Sequence, residues 1–168
     1  DQYIQPIKKN EIKIQAHGYS EIYEKYFFKK KENNLNILEL GSFYGNAAAA
    51  LYFYFDKANI FSADINPDMI KYKSNRITNF YVDSSSRNSL KNDLISKKNN
   101  FDIIIEDASH MLKDQIISLF MLFPLVNSGG YFIVEELDFP ETREDMRINQ
   151  TKPDLKEILQ NILKNMDF

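Results

Sequence analysis

Short apolar runs alternate with stretches of helical periodicity along most of the chain, an order that predicts βαβ units on a parallel sheet. Five runs read as strands, at residues 36–40, 59–64, 77–82, 101–106 and 131–135. The fourth, Phe-Asp-Ile-Ile-Ile-Glu, is nearly continuous apolar, as a strand covered on both faces must be. Helices are predicted at 46–55, 67–74, 89–97 and 113–123. Leu112, Ile116, Leu119, Phe120 and Phe123 recur there at the spacing of one helix face. A leading helix at 20–30 sets Ile22, Tyr23, Tyr26 and Phe27 on one side, and a closing helix starts near Pro153, a residue suited to a first turn. That last helix carries the clearest amphipathic stripe: Leu155, Ile158, Leu159, Ile162, Leu163 and Met166. The polar, aperiodic stretch between Glu136 and Pro153 reads as a lid, a binding loop or a disordered segment. The expected fold is α/β: a three-layer, Rossmann-like, mostly parallel sheet with helices on both faces, in a single domain over residues 1–168.

Composition narrows the partners. The net charge is −3 and no Lys/Arg stripe stands out, which argues against nucleic acid. Lys29-Lys30-Lys31 suits the solvated C-terminus of a helix. The absence of cysteine excludes disulfides, thiolate metal sites and a Cys nucleophile, and fits a reducing cytoplasm. No apolar run reaches the roughly 18 residues of a membrane span, and no signal peptide is recognisable. A cytoplasmic location is therefore expected. The first residue is Asp1, not Met, so an upstream piece is expected to be absent. Usage rich in Lys, Asn, Ile, Phe and Tyr corresponds to AT-rich codons.

The chemistry gathers at predicted strand ends. The first strand runs through Glu39-Leu40 into Gly41-Ser42-Phe43-Tyr44-Gly45 and an alanine-rich helix, whose first amides suit a carboxylate or phosphate. The second ends in Asp64, where an acid can accept both hydroxyls of a ribose, and the third in Asp83-Ser84. Ligands of open α/β sheets bind at such carboxyl ends. Phe43 leaves little room for a pyrophosphate, which favours a cofactor without phosphate, such as S-adenosylmethionine, over NAD. A plain βα turn and a helix-capping Asp would present the same residues.

Asp107 and the pair Glu135-Glu136, at the next two strand ends, offer hard oxygen ligands suited to Mg²⁺, Mn²⁺ or Ca²⁺. Solvated strand-end acids are the alternative. His110 follows Asp107 by three residues, and as a neutral imidazole it could take a proton from a hydroxyl. A hydrogen-bonded helix-start histidine is its plainer reading. His17, in His-Gly-Tyr-Ser, either caps the leading helix or touches the cofactor.

With these residues the chain resembles the class I S-adenosylmethionine-dependent methyltransferases. More narrowly, it resembles the metal-dependent sugar O-methyltransferases that act on macrolide deoxysugars and bacterial polysaccharide sugars. The resemblance runs from about His17 to Leu137. It rests on His-Gly-Tyr-Ser-Glu-Ile-Tyr-Glu, Glu39-Leu40-Gly41, Asp64-Ile65, the Asp-Ala-Ser-His of Asp107–His110, and Gly-Gly-Tyr-Phe-Ile-Val-Glu-Glu ending at Glu136. It implies cofactor binding by Glu39, Gly41, Ser42, Gly45, Asp64, Asp83 and Ser84. It also implies Mg²⁺ or Mn²⁺ at Asp107, Glu135 and Glu136, with His110 and Asp107 as the catalytic pair and His110 the base.

Three departures stand out. Glu136 replaces the aspartate usual after the strand-five glutamate, and the Gly-Thr-Asp-Lys element common before the histidine is not recognisable in residues 10–16. The final antiparallel strand pair of the family is also missing. Either the chain is a fragment or a partner, such as a second copy, covers that sheet edge.

The implied reaction is methyl transfer from S-adenosylmethionine to a sugar hydroxyl. A nucleotide-linked capsule or lipopolysaccharide sugar is expected, since AT-rich usage fits poorly with GC-rich antibiotic producers. Arg143, Arg147 and Lys152 are candidates to meet a substrate diphosphate, or are simply solvated. Catechol and caffeoyl-coenzyme A methyltransferases share the turn and the metal, but they usually carry a lysine where this chain has His110. A nicotinamide dehydrogenase and a non-catalytic partner subunit of the same fold are the other readings.

Overall fold

A computed structural model describes residues 2–7, 11–16, 19–97, 99–137, 143–146 and 152–165. His17, Arg147, Met166 and much of the stretch between Glu136 and Pro153 lie outside the described residues. The five strands of the main sheet are β3 (Asn36–Leu40), β4 (Asn59–Asp64), β5 (Ile77–Tyr81), β6 (Phe101–Glu106) and β7 (Val126–Val134). They run parallel in the order β5-β4-β3-β6-β7. The order reverses at β3, so the crevice of a doubly wound sheet opens where β3, β4 and β6 end. β1 (Gln2–Ile7) and β2 (Glu11–Ala16) pair antiparallel as a separate hairpin, which the sequence reading did not include.

Alternation along β3 builds the layers. Ile37 packs on one face with Ile60, Ile103 and Ile105, beneath α1 (Tyr19–Phe27) and α2 (Asn46–Tyr54) through Phe27, Ala48, Leu51 and Phe55. Leu38 and Leu40 face the other way, with Ile104. That face is covered by α4 (Leu112–Leu122) and by the helical run that opens as α3 (Arg87–Ser89). Each fully buried aliphatic or aromatic side chain contributes roughly 1.5–3 kcal/mol, so the two faces together carry the fold. α5 (Leu155–Lys164) lies over α4 and β7 through Leu155, Ile158 and Leu159. Among the described residues no strand follows Val134.

Several expected elements differ. The helix predicted at 67–74 is a single 3-10 turn, Pro67–Met69. The segment is drawn across the glycine turn instead: Ile70 is buried, and the Lys71 amide donates to the Tyr44 carbonyl at 3.1 Å. The run at 89–97 begins earlier, widens to a π turn over Leu90–Leu94 and closes as a 3-10 turn over Ile95–Lys97. β7 starts five residues before its predicted start, since 126 precedes 131 by five. The step from Phe101 to Ile103 on β6 faces Val126 to Tyr131 on β7, so the Ser128-Gly129-Gly130 stretch is accommodated within the strand. α5 begins at Leu155, capped by Asp154 in a capping box with Glu157; Pro153 therefore precedes the cap. On α4, Phe120 and Phe123 of the predicted stripe face solvent, while the polar Asp114, Gln115 and Ser118 are buried.

Candidate active site

The strand tips form one linked row. Gly41 and Ser42 amides donate to the Ala63 carbonyl at 2.8 and 3.1 Å, and the Val82 amide donates to Asp64 at 3.0 Å. On the other side, the Asp107 amide donates to Leu40 and the Glu135 amide to Glu106, each at 3.0 Å. Glu39, Asp64, Asp83, Asp107 and Glu135 thus stand at successive ends of one sheet edge.

Gly41 fits because nothing larger could. Its φ is +85°, and a Cβ there would sit 2.2 Å from the Asp107 carbonyl oxygen, so the βα turn passes directly over the β6 tip. Gly45, with φ +80°, starts α2 without any side-chain cap, which leaves the first amides of that helix open toward the crevice. Between the glycines, Phe43 also holds a left-handed φ of 47°. Its amide donates to Asp64 Oδ2 at 2.8 Å, and the Asn66 amide donates to Oδ1 at 2.7 Å. Asp64 therefore fixes the turn, and each of its oxygens keeps a lone pair for a further donor.

Glu39 is buried on the α1/α2 side, and its Oε2 has no hydrogen-bond partner. Burial pushes its carboxyl up to about 7, partly offset by Ser42. Asp83 is committed to its own loop: its Oδ1 accepts from the Ser85 amide and hydroxyl, at 2.9 and 2.6 Å. Ser84 is half-buried beside it.

Asp107, Glu135 and Glu136 share one electrostatic neighbourhood. Burial first, then the charges of Glu135, Glu39, Glu106 and Glu136, push the Asp107 carboxyl up to about 8. Burial also raises Glu135, with Glu39 and Glu136 adding to the rise and a hydrogen bond from Tyr23 opposing it. The three carboxylates are not gathered to coordinating spacing: among the described residues, no three His, Cys, Asp or Glu side chains stand where they could hold a metal ion. Their chemistry nevertheless suits a hard divalent cation. Glu135 Oε2 is buried with no hydrogen-bond partner, an orphaned anionic oxygen of the kind a cation satisfies.

His110 sits at φ 58°, and its Nε2 lies 3.9 Å from Asp107 Oδ1. Burial lowers its pKa, with Glu136 pulling upward and Arg143 downward, so the imidazole is neutral and able to accept a proton near neutral pH.

Two residues to which the sequence assigned no site role, Tyr23 on the face of the leading helix and Tyr19 within the His-Gly-Tyr-Ser motif, belong to this site. The Tyr23 hydroxyl donates to Glu135 Oε1, and the Tyr19 hydroxyl donates to Glu136 Oε1 at 3.1 Å. Burial, then Glu135, pushes the Tyr23 phenol far up, so it stays a protonated donor. Glu106 was also passed over; it is fully buried beneath Asp107. The available signal was the four-residue spacing of Tyr19 and Tyr23, which stacks two hydroxyls on one helix face.

Comparison with known proteins gives the family and the fold. A family model described as a methyltransferase domain matches residues 31–166. Over 128 residues the chain is 29% identical to an 8-demethyl-8-alpha-L-rhamnosyl tetracenomycin-C 2'-O-methyltransferase of Streptomyces olivaceus. Over a stretch of the same length it is 27% identical to a demethylmacrocin O-methyltransferase of Streptomyces fradiae. Each match covers 72% of this chain, and the chain spans about a third of the relatives' length, 33% and 32%. The fold is shared with the methyltransferase MycE of mycinamycin biosynthesis, solved with Mg, SAH and mycinamycin VI. The TM-score is 0.75 at 20% identity, covering 89% of this chain and 43% of that one.

Proposed function

The chain belongs to the methyltransferase-domain family, and from that premise we propose that it moves a methyl group from S-adenosylmethionine to a sugar hydroxyl with the help of a divalent ion, Mg²⁺ or Mn²⁺. The observation that carries this reading is Asp107. Its carboxyl is pushed up to about 8 by burial and surrounding carboxylates, and a neutral histidine stands 3.9 Å away. Acids that raise one another in this way favour a bound cation, and an adjacent base suits the removal of a proton from a hydroxyl. The name of the rhamnosyl tetracenomycin-C relative supports a sugar acceptor, and the MycE complex, with Mg and SAH, supports both groups in this fold.

When bound, the sulfonium donor supplies an activated methyl, and the ion supplies charge that makes a nearby hydroxyl more acidic. The chain's own residues do the rest. Gly41 and Gly45 would let the turn and α2 come close to the donor, Asp64 would offer acceptors to its ribose, and Glu39 and Ser42 would help hold it. Asp83 and Ser84 would edge the adenine side. Asp107, Glu135 and Glu136 would hold the ion. His110 would take the hydroxyl proton on its neutral imidazole while the protein holds acceptor and methyl in near-attack position, about 3–3.5 Å apart.

The sugar is proposed to be one destined for a bacterial surface polysaccharide, presented on a nucleotide carrier; residue usage supports this narrower reading. A labelled-methyl assay over a panel of nucleotide sugars, with and without Mg²⁺, tests the whole. The expected result is transfer that needs the ion and is lost in His110→Ala while SAH affinity is kept. Full-rate transfer after EDTA treatment would remove the ion from the reading. Undiminished turnover in His110→Ala would remove the base.

A further inference from the structure

Resting on the divalent-ion reading above, we propose that Tyr23 and Tyr19 are positioning residues that preset Glu135 and Glu136 as metal ligands. The first observation is directional. β7 ends at Val134, so Glu135 and Glu136 lie just past the strand, where its alternation no longer sets their directions. Glu136 holds a left-handed φ of 54°, a strained conformation for a non-glycine residue that persists only when its surroundings enforce it. The Tyr19 hydroxyl donates to Glu136 Oε1 at 3.1 Å and is one contact that holds the carboxylate in place.

The second observation is the division of labour on Glu135. Tyr23 donates to Oε1, whereas Oε2 is buried and has no hydrogen-bond partner. A carboxylate pinned through one oxygen presents the other in a single orientation. Outer hydrogen bonds of this kind orient metal ligands, and their loss weakens metal binding about 10- to 100-fold.

The third observation is what holds the phenols. Tyr19 and Tyr23 lie one helical turn apart with ring centroids 6.4 Å from each other, and the Tyr23 ring packs on Phe27 at 5.4 Å. Phe27 is 1% exposed and locked against Phe55 and Tyr131. The register of α1 on the core therefore sets where both hydroxyls stand. Two adjacent acids are held by two donors on one rigid helix face, so α1 is part of the ion site although it carries no ligand.

The test is Mn²⁺ binding to the 168-residue chain, followed by the electron paramagnetic resonance of free Mn²⁺ in the presence of SAH. Tyr23→Phe removes one oxygen and keeps the ring, and it should weaken Mn²⁺ about 10- to 100-fold with calorimetric SAH affinity unchanged. Tyr19→Phe should weaken it in the same direction and carries the test if Tyr23→Phe fails to fold. Tyr26→Phe, on the same helix with its ring on Tyr131, should leave Mn²⁺ affinity at the parent value. Parent-like or tighter binding in the Tyr23 and Tyr19 variants would overturn the proposal, as would an equal loss in Tyr26→Phe. A parent chain that binds no Mn²⁺ would instead overturn the divalent-ion reading beneath it.

Discussion

Replacing Glu106 with glutamine isolates the cost of one buried charge. Glu106 ends β6 with 0% exposure, and neither of its oxygens has a hydrogen-bond partner of normal geometry. Burial pushes its carboxyl from 4.5 up to about 7, with the Ala108 amide offsetting part of the rise and Asp114 adding to it. Between those values the native state holds a proton that the unfolded chain releases. Stability from this group is therefore greatest at low pH, falls as pH climbs through the window, and levels off above it. The rise corresponds to roughly 3 kcal/mol, most of which falls between pH 5 and pH 8.

Glutamine keeps the shape and cannot ionise. Any cost of pairing its amide is the same at both pH values and cancels from the comparison. Urea unfolding of parent and Glu106→Gln at pH 5 and pH 8 should show the variant gaining roughly 2–3 kcal/mol more at pH 8. In thermal unfolding the same difference is about 5–10 °C for a domain of this size. Glu106 is also one of the charges that raise Asp107, so the variant should bring the Asp107 carboxyl down. Parallel pH profiles for the two proteins would refute the reasoning, because they would mean that Glu106 titrates alike in both states.

Gly41→Ala puts a Cβ 2.2 Å from the Asp107 carbonyl oxygen at φ +85°, so a loss of at least ~2 kcal/mol and of SAH binding is expected; parent-like calorimetric binding would contradict the close approach. Asp64→Asn sets an amide donor against one of the two N–H groups, of Phe43 and Asn66, that now share its oxygens. The turn should lose about 1–3 kcal/mol, read as weaker SAH binding, and unchanged affinity would mean the turn holds without the carboxylate. Arg76→Ala removes a guanidinium that donates to the carbonyls of Tyr52, Phe55 and Ala58 and stacks on the Tyr52 ring. About 2–3 kcal/mol of stability should go while SAH affinity stays, and chemical denaturation that shows no loss would deny it a capping role.

The strands were legible because burial on both faces leaves mostly apolar runs, and β3, β4 and β6 match the predicted bounds although Glu39, Ser62 and Asp102 interrupt them. The acids at the tips were legible for the complementary reason, since a charge just past an apolar run has only the sheet edge to occupy. What escaped depended on distant partners. Residues 67–74 look helical in isolation, yet Ile70 is buried against the glycine turn and keeps the segment extended. The leading hairpin carried its own alternation in Glu-Ile-Lys-Ile-Gln-Ala, but Pro6 in the facing run reads against a strand. Tyr23 was read as a helix-face aromatic and Tyr19 only as part of the His-Gly-Tyr-Ser motif, because the role of each hydroxyl depends on a carboxylate over a hundred residues away.

The backbone itself marks the same place. Among the described residues, the non-glycine positions with positive φ are Phe43, His110 and Glu136. One follows β3, one follows β6 and one follows β7, each just past the point where regular hydrogen bonding ends. Strain scattered at random would fall on surface loops as often as on a sheet edge. Here each strained residue re-aims a group that regular geometry would point elsewhere. The Phe43 amide is turned onto Asp64, the His110 ring is set beside Asp107, and the Glu136 carboxylate is brought round to Tyr19. Such conformations cost about 1–3 kcal/mol each, and a domain keeps them only where neighbouring contacts over-determine them. The linked amides of the strand tips supply that constraint. The regular sheet therefore provides rigidity, and the three departures from regularity turn its edge into a site.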